Sequence, residues 1–193
     1  MNDQFSNREL MVLLRELGKI LAGGVAGEVV ELGCYKGDTS VEIARVLERA
    51  QKNRSLYVYD SFVGLPYKAP QDQSPAGEQF TAGELPATKK DVITRFKKSG
   101  LRQPIIKKAW FHELAAKDLP EQICLAFMDG DFYDSIMCSL KLVWPKLAPG
   151  SVVIVDDYQN EALPGAARAV DEWLKTHPAR LQAEASLAII RPA

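Results

Sequence analysis

Residues 123–157 read ICLAFMDGDFYDSIMCSLKLVWPKLAPGSVVIVDD. Two uninterrupted apolar runs, 123–128 and 151–155, flank a segment of helical character. Each run stops on acids, Asp129-Gly130-Asp131 after the first and Asp156-Asp157 after the second. An apolar run without alternation reads as a strand buried on both faces. Strand, helix and strand in that order predict a parallel pair joined by a crossover helix. The spacing places the helix at about 135–147, with a turn at Pro149-Gly150 before the second strand.

The same alternation continues outward. Leu10, Leu13, Leu14, Leu17, Ile20 and Leu21 recur at helical spacing, which predicts an amphipathic helix over about 7–22, stopped by Gly23-Gly24 within an N-terminal segment 1–24. A short strand at 28–32 runs into Gly33, a helix follows over about 39–50, and the β-rich run 56–59 ends at Asp60. Residues 64–87 are rich in Pro, Gly, Gln and Glu and show no periodicity. They predict a long loop of the kind that carries function, here a lid over an active site. Thr88 caps a helix to about 98, stopped by Gly100. A weak strand at 104–107, a helix at 166–176 and one or two strands within 181–191 complete the chain. Residues 1–193 are thus expected to form one α/β domain, a mainly parallel sheet with helices on both faces.

Composition removes several classes of function. Lys plus Arg number 24 against 25 for Asp plus Glu, a formal net charge of −1. A chain without basic excess is a poor candidate for nucleic-acid binding. No apolar run approaches the roughly 20 residues that span a bilayer. The start, Met1-Asn2-Asp3-Gln4, lacks the basic and apolar regions of a signal peptide, so a cytoplasmic setting is expected. The three cysteines, Cys34, Cys124 and Cys138, have no C-x-x-C spacing, which disfavours a disulfide framework or a thiolate zinc site. His112 and His177 are the only histidines, and no G-x-S-x-G elbow is present. Any chemistry falls to carboxylates.

Ligands of a parallel sheet bind beyond the carboxyl ends of its strands. Four such ends carry acids here: Glu31, Asp60, Asp129 and Asp156-Asp157. Acids also begin loops and cap turns, but four sets on one sheet edge point to a site. In the turn Glu31-Leu32-Gly33-Cys34-Tyr35-Lys36-Gly37, Gly33 and Gly37 let the backbone approach a ligand. The dinucleotide fingerprint G-x-G-x-x-G is absent. An E-x-G-x-x-x-G turn suits S-adenosylmethionine, with Glu31 meeting its amine and the amides from Tyr35 through Thr39 to Ser40 meeting its carboxylate. Asp60, 29 positions after Glu31, is placed to take both ribose hydroxyls of either S-adenosylmethionine or NAD. Asp129, Asp156 and Asp157, at the ends of neighbouring strands, would converge. Three like charges in a cleft call for a cation, and all-oxygen ligands favour Mg²⁺ or a similar hard ion.

The stretches VVELGCYKGDTS (29–40), VYDSFVGLP (58–66), MDGDFYDS (128–135), LAPGSVVIVDDY (147–158) and PGAARAVDEW (164–173) together resemble the macrocin O-methyltransferase family, the Mg²⁺-dependent sugar O-methyltransferases of natural-product pathways. The resemblance implies a Rossmann-like S-adenosylmethionine-dependent methyltransferase fold. It implies that Asp129, Asp156 and Asp157 hold Mg²⁺, that Asp131 is the general base, and that Glu31, Gly33, Gly37, Asp60 and Ser61 hold the cofactor. Ala109-Trp110 matches the family segment near the adenine, with Ala109 where Gly is usual. The part before residue 28 is shorter than in many members.

The chemistry is coherent without the family. A hydroxyl on a divalent cation has a lowered pKa, and a nearby carboxylate can take its proton. Methyl transfer then needs mainly in-line placement. Tyr133 and Tyr158, beside the acids, either order the site or pack against the sheet. The expected partner is a small hydroxylated acceptor, a sugar or glycosylated natural product, with no nucleic acid, no membrane and a homodimer left open. Two rivals remain. A nicotinamide-dependent oxidoreductase lacks its third glycine and a Tyr-x-x-x-Lys pair. A non-catalytic S-adenosylmethionine-binding module would have no need of the acid set.

Overall fold

The computed structural model describes residues 5–50, 53–75, 77 and 79–193. The signal-peptide expectation, which rests on Met1 to Gln4, falls outside them. Seven strands form one sheet in the order β3-β2-β1-β4-β5-β7-β6. They are β1 (Glu28–Leu32), β2 (Leu56–Asp60), β3 (Ile105–Lys108), β4 (Ile123–Met128), β5 (Leu147–Val155), β6 (Ala179–Glu184) and β7 (Leu187–Pro192). The first five are parallel, while β7 runs antiparallel to β5 and β6 antiparallel to β7. Leu32 pairs with Tyr59 and Met128, and Met128 with Val155. The carboxyl ends of β2, β1, β4 and β5 therefore finish level.

Among the described residues five α-helices cover the sheet: α1 (Asn7–Ala22), α2 (Asp38–Arg49), α3 (Lys89–Ser99), α4 (Tyr133–Val143) and α5 (Pro164–Leu174). Strand residues alternate between two cores. Val29, Val58, Leu125, Phe127, Val152 and Ile154 pack with α1, α2 and α3. Val30, Leu32, Ala126, Met128, Val153 and Val155 pack with α4 and α5. Burial on both faces is why these strands read as continuous apolar runs. No helix among the described residues is long and apolar enough to cross a membrane.

Three boundaries differ from the sequence expectation. The helix expected to reach 147 ends at Val143, and a 3₁₀ turn, Trp144–Lys146, follows. Pro145 has no N–H to continue the helical ladder. Strand β5 does not begin after a Pro149-Gly150 turn but at Leu147, which pairs with Ile123; the register shifts between Ile123 and Leu125. An irregularity of this kind accommodates a proline inside a strand. Helix α5 runs from Pro164 to Leu174 rather than 166–176, with proline in its first turn, where the missing N–H costs nothing.

Among its described residues the 64–87 segment has no regular structure beyond a 3₁₀ turn at Pro70–Asp72, but it is fastened down. Leu65 N donates to Glu84 O and Gly83 N to Leu65 O, which closes its base. Leu65 packs with Phe132 and Leu163, and Phe80 and Leu85 lie against them.

Candidate active site

A cavity of about 1240 Å³ opens over the level strand ends. Gly33, Tyr35, Thr39, Asp60, Ser61, Ala109 and Trp110 line one side, and Asp129, Asp131 and Asp157 line the floor. Phe5 and Leu10 from the start of the chain, and Tyr67, Phe80 and Leu85 from the 64–87 loop, complete the walls. Non-glycine residues with positive φ follow each of the four ends: Tyr35 (47°), Phe62 (54°), Asp131 (58°) and Asp157 (58°). Left-handed backbone at a non-glycine residue is costly, and its concentration here is the kind of strain that functional sites hold.

Gly33 shows why the first turn needs glycine. Its φ is +91°, and a Cβ built there would lie 1.8 Å from the backbone oxygen of Asp129. The turn after β1 thus packs directly on the turn after β4. Asp60 holds that first turn: its Oδ2 accepts from Cys34 N at 2.9 Å and Tyr35 N at 3.1 Å, and its Oδ1 accepts from Phe62 N at 2.7 Å. With Oδ2 doubly engaged and Oδ1 accepting once, one acceptor position is left, fewer than the sequence expectation of a bond to both ribose hydroxyls requires. Capping a turn, which the sequence offers only as the alternative to ligand binding, is thus a task Asp60 performs.

Not every expected cofactor residue faces the cavity. Glu31, Gly37 and Ser40 sit behind its wall. Gly37 is the left-handed N-cap of α2, with φ 83°. Ser40 is fully buried and donates its hydroxyl to Glu31 Oε2, while Glu31 Oε1 is buried with no hydrogen-bond partner among the described residues. Burial, opposed by the Ser40 bond and reinforced by Asp60, pushes the Glu31 carboxyl up to about 8. An orphaned buried carboxylate oxygen beside the turn fits a cationic amine donor.

The floor is a second, different environment. Oxygens of Asp129, Asp156 and Asp157 lie within 4.8 Å of one another. Asp129 N donates to Leu32 O, and Asp156 N to Met128 O, so the sheet ladder itself carries the acids into register. Asp156 lies behind the other two, 3% exposed, and accepts from Asp157 N at 2.8 Å; Asp157 accepts from Asn160 Nδ2 at 2.8 Å. Burial and then mutual repulsion hold Asp129 and Asp156 well above the carboxylate range. Burial raises Asp157 to about 6 against the Asn160 bond; burial, Asp157 and Asp60 raise Asp131 to about 8. Clustered carboxylates whose charge is this costly fit a hard divalent cation. Tyr133 packs into the core and Tyr158 donates to Asp171, so packing accounts for both. His112 lines the cavity and stacks on Trp110 at 6.4 Å.

Residues 6–184 match the family model described as Macrocin-O-methyltransferase (TylF). The chain belongs to the macrocin-O-methyltransferase family. Within the range of this family's chemistry, it is 30% identical over 166 residues to the mycinamicin III 3''-O-methyltransferase of Micromonospora griseorubida, covering 81% of this chain and 64% of the relative. It is 27% identical over 168 residues to the demethyldecarbamoylnovobiocin O-methyltransferase of Streptomyces niveus, covering 80% and 60%. The chain thus spans somewhat less than two thirds of these relatives' length. Its fold is that of the O-methyltransferase NovP, with a TM-score of 0.82 at 24% identity over 95% of this chain and 79% of that one. The calicheamicin methyltransferase CalS11 superposes with a TM-score of 0.77 at 20% identity, over 97% and 80%.

Sequence reasoning missed several lining residues. Arg95, paired with Asp38, reaches the cavity from α3, and nothing in a helical charge pattern distinguishes it from a solvated face. Asn160 had a local signal, an amide three residues after Asp157.

Proposed function

We propose that this chain is an S-adenosylmethionine-dependent O-methyltransferase that uses Mg²⁺ and acts on a hydroxyl of a sugar or glycosylated small molecule. The observation that carries the reading is the shared cavity: the glycine turn, with the orphaned Glu31 oxygen behind it, and the three-carboxylate cluster meet through the Gly33–Asp129 contact. Family membership and the O-methyltransferase names of the relatives support it.

The amides of Lys36, Asp38 and Thr39 would hold the amino-acid end of the cofactor, since those of Tyr35 and Gly37 already donate to Asp60 and Cys34, with the Glu31 carboxyl behind them; Asp60 Oδ1 would hold the ribose, and the segment Ala109-Trp110 the base. Asp129, Asp156 and Asp157 would hold the cation. When bound, S-adenosylmethionine supplies an electrophilic methyl group and Mg²⁺ lowers the pKa of a coordinated hydroxyl. Asp131, on the floor beside Asp157, accepts the hydroxyl proton at its carboxylate. The walls from α1 and the 64–87 loop orient the acceptor and exclude water, so that most of the barrier is met by placement.

The test is methyl transfer from S-adenosylmethionine to a panel of sugar acceptors, together with thermal shifts. Transfer should require Mg²⁺, cease on exhaustive chelation and return when Mg²⁺ is restored. S-adenosylhomocysteine should raise the melting temperature and NAD should not. Stabilisation by NAD alone would overturn the cofactor assignment, and transfer that survives chelation would remove the metal.

A further inference from the structure

Helix α4 begins at Tyr133, only two residues beyond Asp131, and its N-cap residue Phe132 offers no side-chain acceptor. The first amide of a helix needs one. Tyr133 N finds it far away in sequence: it donates to Asp72 Oδ1 at 2.7 Å, while Asp72 Oδ2 accepts from Ala69 N at 2.8 Å. Asp72 is 2% exposed. Burial raises its carboxyl pKa, and the two N–H bonds oppose that.

The space for this carboxylate is made by a glycine. A Cβ at Gly165, in the first turn of α5, would lie 1.7 Å from Asp72 Oδ1 and 2.7 Å from Tyr133 N. The φ of Gly165 is not positive, so clearance rather than backbone conformation requires glycine here. Around the carboxylate, Arg168 of α5 donates to the carbonyls of Gln71 and Gln73, and Leu65 packs on Phe132 and Leu163. The loop, the first turn of α4 and the first turn of α5 therefore meet at one buried carboxylate.

We propose that Asp72 is a positioning residue: it caps α4 from the 64–87 loop and so couples the seating of that loop to the geometry of Asp129 and Asp131. The functional meaning of those two acids rests on the reading above. Between them and the helix lies a tight turn, with Phe132 N donating to Gly130 O at 2.6 Å and Asp131 at φ 58°. Among the described residues Asp72 is the side chain that accepts from Tyr133 N, and with the packing of Phe132 it sets how that strained turn is held. A carboxylate there also meets the positive end of the helix dipole.

Amide hydrogen exchange on the ligand-free protein tests the coupling, with Asp72→Ala and Gly165→Ala as attacks from opposite sides. Both should speed exchange in 129–133 and in the loop by about tenfold, since a lost cap shifts local opening by about an order of magnitude. Residues 29–37 and 56–60 should keep their protection. Asp72→Asn, which keeps its volume and one acceptor oxygen, should show the same pattern to a smaller degree, and it carries the test if the other variants do not fold. Mg²⁺ affinity should fall in step with exchange in 129–133 while S-adenosylhomocysteine affinity stays within about twofold, a split that general destabilisation does not produce. If the loop loosens while 129–133 keeps its protection, or if 129–133 loosens with Mg²⁺ affinity unchanged, the inference is wrong. If the unsubstituted protein binds no Mg²⁺, the metal reading fails instead, and exchange in 129–133 alone decides the coupling.

Discussion

The two halves of the cavity floor are built from the same residue type and treated oppositely. On the β1–β2 side, Asp60 accepts three backbone amides and is the peg that shapes the turn. On the β4–β5 side, Asp129 and Asp131 accept no hydrogen bond among the described residues, and their neighbours Asp156 and Asp157 have one each. A carboxylate surrounded by amides is stabilised by the protein, whereas carboxylates surrounded by carboxylates are stabilised by whatever binds them. Asp60 is satisfied by the fold itself; the acids of the other side, on the function proposed above, await a cation.

That contrast can be broken by substitution. The largest effect is expected at Asp131. Asp131→Asn keeps the shape but removes the base, so turnover should fall by about 10²–10⁴ while Mg²⁺ and S-adenosylhomocysteine still bind. A fully active variant would take the base role from Asp131 and leave the metal alone to activate the hydroxyl. Next comes Asp157→Asn, which should weaken Mg²⁺ binding by about tenfold or more and recover part of its activity at high Mg²⁺. Rescue by Mg²⁺ at Asp131 and not at Asp157 would reverse the two assignments.

Stability separates the halves by sign. Asp60→Ala strands three amides and should cost about 1–3 kcal/mol, roughly 2–4 °C for each kcal/mol in a chain of this size. Asp129→Asn should instead raise the melting temperature of the metal-free protein, because it removes a charge from a repelling cluster. Calorimetry in EDTA that finds both variants destabilised alike would erase the distinction.

The smallest effect is a pH slope. Glu31 and Asp131 are raised to about 8 and Asp157 to about 6. A carboxyl with a raised folded pKa binds its proton more tightly when folded. Its contribution to stability is full below the ordinary carboxylate value and is lost as pH climbs through the folded one. The metal-free protein should therefore lose thermal stability between about pH 5 and pH 8, and Mg²⁺ should flatten the slope. Glu31→Gln should remove a part that Mg²⁺ leaves behind. A flat profile without metal would show that the acids are not strained by one another.

Much of this floor was legible in the sequence because burial on both faces writes strands as unbroken apolar runs, and each run stops where the acids begin. Adjacency of β4 and β5 then follows from one short crossover, which is how three distant aspartates could be placed together. Facing was harder. Glu31 and Ser40 stand behind the wall because a one-residue difference in a strand or a helix turns a side chain to another face, and no composition reports that. Asp72 was invisible for a different reason: its partners Tyr133 and Gly165 are brought to it by tertiary packing, and the loop around it has no periodicity to read. The end of α4 went astray where apolar spacing continued past the point at which Pro145 interrupts the helix.

The contact between Gly33 and the backbone of Asp129 has a consequence for how such a protein diversifies. No side chain stands between the two turns at Gly33, so the span from the glycine turn to the acid floor is written in main chain. Innovation is channelled to the rim, where Phe5 precedes the first helix, Leu10 lies in its first turn, and Tyr67 stands 90% exposed on the loop. Exchanging those two segments between relatives would change what the cavity admits while the spacing of the glycine turn and the acids is inherited intact.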